Sequence, residues 1–222
     1  MSIESAAAIK PPKPAKPGFL EKTIEFLDYF EPKLDEYNEL ISYNKIFVNR
    51  LANVAVISAA DAVAYGMTGP NLRGSGVSFD LRKDEPYSVY PKFDFKVCVG
   101  TGERGTLGDC FDRYMVRINE MRESIKIVRQ AVARIPDGPV LAKVPRAFKP
   151  PVGEVYFRSE CPRGETGIYL ISDGTVNPYR LKIRTGSFVT MNIFETITKG
   201  LMIADIVAVI GSFDIILPEI DR

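Results

Sequence analysis

The chain has no histidine and no tryptophan, and only three cysteines among its 222 residues. The missing histidine excludes the commonest general base, the commonest metal ligand and every Ser-His or Cys-His nucleophile pair. Chemistry must rest on carboxylates, lysine, arginine, tyrosine or groups brought by a partner. Cys98, Cys110 and Cys161 are scattered, with no CxxC pair, so no zinc or iron–sulfur site within the chain is expected. They read as reduced, half-buried thiols of a reducing compartment. A net charge of +1 gives no argument for nucleic acid or an acidic partner. The longest apolar stretch, 201–217, is interrupted by Asp205 and Asp214. It falls short of the roughly 20 apolar residues a membrane span needs. No secretory signal is legible, so a soluble or membrane-peripheral chain is expected.

What is present has the balance of a globular protein, 45% apolar and 26% charged. Residues 1–18, with prolines at 11, 12, 14 and 17 among lysines, read as a flexible or extended arm ahead of a body at 19–222. Leu20, Ile24, Leu27, Phe30, Leu34, Tyr37 and Ile41 recur at helical spacing, with Pro32 marking a break or a first turn. A short helix is expected at 58–65, with Ser58 as its cap and Asp61 in its first turn. The stretch 68–86 has three glycines and two prolines and reads as loop. It lacks phosphate-loop spacing, so packed turns are favoured over an anion cradle. Phe93, Phe95 and Val97 alternate like a short strand. Met115, Ile118, Met121, Ile125, Val128 and Val132 predict the longest helix, over 108–135. Its Arg113, Arg117, Arg122, Arg129, Glu120 and Glu123 read as a solvated or partner-facing side. After a proline-punctuated connector (139–151), 155–157 and 168–171 flank a hairpin loop, a further strand is expected at 179–183, and 194–197 and 201–210 read as helices. The fold class is α+β: a mainly helical bundle with a small antiparallel β-sheet.

The end of the chain, LMIADIVAVIGSFDIILPEIDR (201–222), sets Asp214, Glu219, Asp221 and Arg222 in an apolar tail, where charges must be paired or desolvated. That segment, with GDCFDRYMVRINEMRESIKIVRQAV (108–132), ECPRGETGIYLISDG (160–174) and PYRLKIRTGSFVTM (178–191), resembles the quinone-pocket subunit of respiratory complex I. That family is itself similar to the large subunit of nickel–iron hydrogenases. LDYFEPKLDEYNELI (27–41), NRLANV (49–54) and GPNLRGSGVSFDLRKDEPYSVY (69–90) fit it too, so the likeness runs from about Phe19 to Arg222. It covers the family's second half. The first half, with its histidine loop and headgroup-contacting tyrosine, has no counterpart here, so the resemblance implies a split subunit completed by another chain.

Hydrogenase large subunits end on Asp-Pro-Cys-x-x-Cys-x-x-His or -Arg. Aligned on Asp214, the proline place is Ile215, the cysteine places are Ile216 and Glu219, and the basic place is Arg222. Isoleucine cannot ligate a metal, and one carboxylate does not replace two soft thiolates, so nickel is excluded. The resemblance implies a quinone cavity instead, with Ile216 as an apolar wall and Asp214, Glu219 and Arg222 as the polar network behind it. Arg163, in the hairpin loop, matches a basic position near the same cavity; a hairpin-tip arginine in solvent is the plain alternative.

The implied function is a part of the peripheral arm of a proton-translocating NADH-quinone oxidoreductase, inactive alone. Quinone would be its substrate, with no cofactor bound by this chain alone. Iron–sulfur clusters and NAD would reside on partner subunits, one iron–sulfur subunit lying next to the quinone site, and membrane-arm subunits would complete the assembly. A peripheral place on the cytoplasmic face of a plasma membrane is expected, with an organelle's inner membrane as the alternative. A non-catalytic assembly or scaffold paralogue is the competing function.

Overall fold

The stripe from Met115 to Val132 folds as the longest helix, α6 (Cys110–Arg134). The computed structural model describes residues 17–136, 138 and 147–221. Most of the amino-terminal arm (1–16), most of the connector (139–146) and Arg222 lie outside the described residues. α6 starts at Asp109, whose side chain accepts from the Asp112 N–H, a cap that also suits the positive end of the helix dipole. Asp112 is buried and accepts from the N–H groups of Gly102 and Gly108. One carboxylate thus ties the 101–108 loop to the first turn.

α1 (Phe19–Tyr37) lies along α6, with Leu27 and Leu34 packed on Ile125. The break expected at Pro32 is absent, and α1 runs through it into a π-helical turn, Asn38–Ser42. Proline removes only the N–H that would have reached Asp28 O. Leu27 and Leu34, buried on either side, hold the two halves in line. Arg122 pairs with Asp35 at 2.7 Å and Arg129 with Asp28 at 2.8 Å. These half-exposed pairs add about 0–1 kcal/mol each. The polar side expected on α6 is therefore largely engaged within the chain. Glu120 pairs with Arg73 and Glu123 with Lys126, while Arg113 is fully buried. The reason is position: Arg113 and Arg117 stand at the edge of the apolar stripe, beside Cys110 and Met121, where the next helix closes over them.

That closure is made by α2 (Lys45–Leu51), α3 (Ala59–Ala64), α4 (Gly69–Gly74) and α9 (Ile203–Phe213), which bury Leu51, Ala62, Leu72, Phe111, Val209 and Phe213 in one core. Ser58 caps α3 as expected, its hydroxyl accepting from the Asp61 N–H at 3.0 Å. The expected loop at 68–86 instead holds α4, buried along its whole length, and α5 (Leu81–Asp84). The expected strand at 93–97 does not form. The N–H groups of Asp94 and Lys96 bond to Gln130 and Glu123 of α6, so helix side chains stand where a neighbouring strand would.

The hairpin does form. β1 (Gly153–Cys161), β2 (Gly164–Ser172) and β3 (Arg180–Arg184) make one antiparallel sheet in that order. Cys161 pairs with Gly164, leaving only Pro162 and Arg163 at the tip. α7 (Gly186–Met191), α8 (Phe194–Thr198) and α10 (Leu217–Ile220) complete an α+β fold. Among the described residues no helix is long and apolar enough to cross a membrane.

Candidate functional site

Two close approaches fix the hairpin tip. Gly69 opens α4 at φ 66, and a Cβ there would collide with the backbone of Gly164; a Cβ on Gly186, at the start of α7, would strike the Arg163 carbonyl. The tip is thereby held between α4 and α7, beside the end of α9. Arg163 Nε donates to the Asp214 carbonyl at 2.8 Å, and its guanidinium lies 3.6 Å from the Asp214 carboxylate. With 31% of its side chain exposed, Arg163 is not a tip arginine standing in solvent.

Asp214 itself is left-handed, at φ 52 and ψ 45. A non-glycine residue pays about 1 kcal/mol or more for that conformation, less for aspartate, whose short side chain bonds locally. The turn is held from beneath. Arg117 donates to Ser212 O at 2.7 Å, to Phe213 O at 3.1 Å and to Asn71 Oδ1 at 2.9 Å. Asn71 Nδ2 also donates to Phe213 O at 3.0 Å. The carbonyls of 212, 213 and 214, which a helix end leaves without intrahelical partners, are thus all satisfied, two of the donors being cations at the negative end of the dipole. Burial pulls the Arg117 guanidinium down to about 10, so it stays charged at neutral pH, and among the described residues its buried Nε–H meets no hydrogen-bond partner. Deeper still, Arg113 donates to Gly108 O at 2.6 Å, Ala55 O at 3.0 Å and Ser212 Oγ at 3.1 Å, and burial lowers its pKa as well.

Past this turn, Ile215 packs partly on the core, while Ile216 is 39% and Leu217 71% exposed. Among the described residues the outer side of the tail is left open. Pro218 lies in the first turn of α10. Ser187 of α7 donates to the Glu219 carboxylate, and Thr185 to its carbonyl. Arg163 and Asp214 are therefore brought together, Glu219 is anchored separately on α7, Ile216 stands on the exposed side between them, and Arg222 lies outside the described residues. Sequence reasoning missed Asn71 and Ser187 and misread Arg117. For Arg117 a signal existed, its place at the stripe's edge one turn after Arg113; for the other two nothing local distinguishes them.

Beside the turn, a polar cleft of about 330 Å³ is lined by Arg73, Arg82, Arg117, Glu120, Glu160 and Asp214. Arg73 is paired with Glu120 and Glu160, both at 2.8 Å, and Arg82 with Asp80 at 2.6 Å. The arginines of the glycine-rich stretch are thus engaged by carboxylates, which supports packing over an anion cradle. A second cavity, apolar and about 450 Å³, opens between α2, α6 and α9. Among the described residues no cluster of three metal-ligating side chains occurs.

The family described as respiratory-chain NADH dehydrogenase, 49 Kd subunit, matches residues 13–149 and 142–222. The chain is 56% identical over 205 residues to an NADH-quinone oxidoreductase subunit of Anaeromyxobacter dehalogenans, covering 92% of this chain and 54% of that relative. It is 51% identical over 208 residues to the like-named protein of Sorangium cellulosum, with 92% and 53% covered. With the corresponding protein of Bacillus cereus it shares 48% over 208 residues, with 93% and 56% covered. The chain spans about half the length of the curated relatives it matches. At these identities and over nearly its whole length, the chain belongs to the family of the 49 Kd subunit of respiratory-chain NADH dehydrogenase.

Proposed function

We propose that this chain builds part of a quinone-reduction cavity in the peripheral arm of a complex I-type NADH-quinone oxidoreductase. The observation that carries the reading is the joint between hairpin tip and tail, where Arg163 grips Asp214. These are two of the residues that the family likeness assigns to one cavity. Ile216 supplies an apolar wall there, and Glu219 and Arg222 extend the polar side. Partner subunits hold the iron–sulfur clusters and NAD, another chain or segment supplies the rest of the family fold, and membrane-arm subunits receive the coupled motion. This arm stands at the cytoplasmic face of a plasma membrane, or at the equivalent face of an organelle's inner membrane.

Quinone takes two electrons and two protons to become quinol. Negative charge developing in a dry cavity is costly unless cations or protons meet it. This chain has no histidine to donate, so its part is the field of Arg163 and Arg117 at the end of α9. The Arg163–Asp214 pair is half-exposed and loose at 3.6 Å. A change of charge beside it shifts its balance, and α9 and α10 carry the shift onward to proton translocation.

In the assembled complex, Ile216→Met should change the response to quinone-site inhibitors by roughly tenfold, about 1.4 kcal/mol, with assembly intact. An unchanged response in a fully assembled complex removes Ile216 from the cavity. Arg163→Ala should slow quinone reduction by a similar factor while electron delivery to a soluble artificial acceptor is unaffected. If both rates fall together, Arg163 acts on assembly instead. Quinone reductase activity that survives loss of the chain would favour the scaffold function.

A further inference from the structure

The helix that carries the candidate tail turns an apolar side outward. Asp205, Val209, Ser212 and Phe213 of α9 face inward and are buried. On the other side Ile203 is 86%, Val207 74% and Ile210 39% exposed, at four- and three-residue steps that make one stripe. A contiguous exposed apolar patch marks a contact surface. Below the stripe lies the cavity of about 450 Å³, walled by Phe47 and Leu51 of α2, Tyr114 of α6, and Val207, Ala208 and Gly211 of α9. Two cations also line it, Arg50 and Arg117; Arg50 is paired with Asp205 at 3.0 Å and Arg117 is bonded to Ser212 O, Phe213 O and Asn71, so both are already engaged and the groove asks for apolar surface.

We infer that this groove seats an apolar helical segment from the part of the family fold that this chain does not span. The inference rests on the chain being one part of a larger assembly, as proposed above, but not on the quinone chemistry. The relatives are nearly twice as long as the matched region, so close to half of their length lies outside it and is there to supply such a segment. α9 runs 11 residues, about 16 Å at 1.5 Å per residue, which suits a partner helix of some three turns with its own three- and four-residue apolar stripe. A second copy is the poorer occupant, because an isologous contact would set a groove against a groove. Gly211 sharpens the test. A Cβ there meets nothing within 4 Å among the described residues, which leave room for a larger side chain that a docked helix would not tolerate.

The test places a photo-crosslinking amino acid at Val207 in the full chain within its assembled complex, with cross-linked peptides identified by mass spectrometry. The expected product joins Val207 to a helix of the unspanned family portion, whether that portion is a separate chain or part of a longer polypeptide. Gly211→Phe should lower the yield of that product roughly tenfold. Cross-links to a second copy, to quinone or lipid, or to no peptide at all would overturn the inference, as would an undiminished yield in Gly211→Phe. Quinone reduction is read in the same preparation. Its absence beside an intact cross-link counts against the proposed function and leaves the docking surface standing.

Discussion

Arg73 and Arg113 are each at most 1% exposed, yet one is surrounded by carboxylates and the other by neutral groups. Arg73 meets Glu120 and Glu160 at 2.8 Å and Asp80 at 3.8 Å. Burial alone would lower its pKa, but the carboxylates outweigh burial and raise it. Arg113 has no ion pair among the described residues; carbonyls, one hydroxyl and the face of Phe213 surround it, and burial wins, lowering its pKa. The first arrangement closes on itself and knits α4, α5, α6 and β1 into a frame. In the second, Asp109 and Asp112 act on Arg113 only from a distance and do not outweigh burial, and Arg117 continues the cationic side to the end of α9 where Asp214 turns. One region fixes geometry; the other holds charge at the place where the candidate site lies.

The widest gap between them should appear on removing each arginine. Arg73→Met strands Glu120 and the almost wholly buried Glu160, while Asp80 keeps Arg82, and should cost about 3–5 kcal/mol of unfolding free energy. A loss under about 1 kcal/mol in urea unfolding would mean that water reaches the cluster and the frame is not closed. Arg113→Met removes a cation with no carboxylate to strand. It leaves the Gly108 and Ala55 carbonyls without that donor while ending the desolvation of a charge, so the expected cost is smaller, about 1–3 kcal/mol. Equal losses in the two variants would break the comparison, since they would show that carbonyl and carboxylate partners hold a buried guanidinium alike.

The sequence made visible whatever has a strong local period or cap. α6, the Ser58 cap and the β1–β2 hairpin lie where spacing and turn residues put them. α4 and α5 were hidden because glycine and proline argue for loop, whereas here glycine permits the contact of α4 with the hairpin tip. Arg163 stood out only through family likeness, and Asp214 first as a charge in an apolar tail. Nothing local says that they touch, and the contact joins positions 51 apart. Arg113 was harder still. An arginine on a helix is normally solvated, and this one is buried by a segment 99 positions later, a tertiary fact with no trace at residue 113 itself.

The smallest effect comes from within the Arg73 frame, where two carboxylates respond to the same arginine with opposite signs. Burial raises Glu160, Asp80 adds to the rise, and Arg73 does not fully offset them, so its pKa stands above 4.5. Burial would raise Asp80 too, but Arg82 and Arg73 outweigh it and hold its pKa below 3.8. Between 4.5 and the folded value, the native state binds Glu160's proton more tightly than the unfolded chain does. Glu160 therefore makes stability fall as pH rises through that window. Asp80 acts in reverse: its contribution is in place above 3.8 and is lost as pH falls through its lower folded pKa. Glu160→Gln should flatten the decline on the alkaline side of 4.5 and leave the acid-side loss intact, as read from urea midpoints across that range. An unchanged alkaline slope would show that the 2.8 Å bond from Arg73 dominates burial at Glu160, and that the frame is neutralised more completely than its depth alone implies.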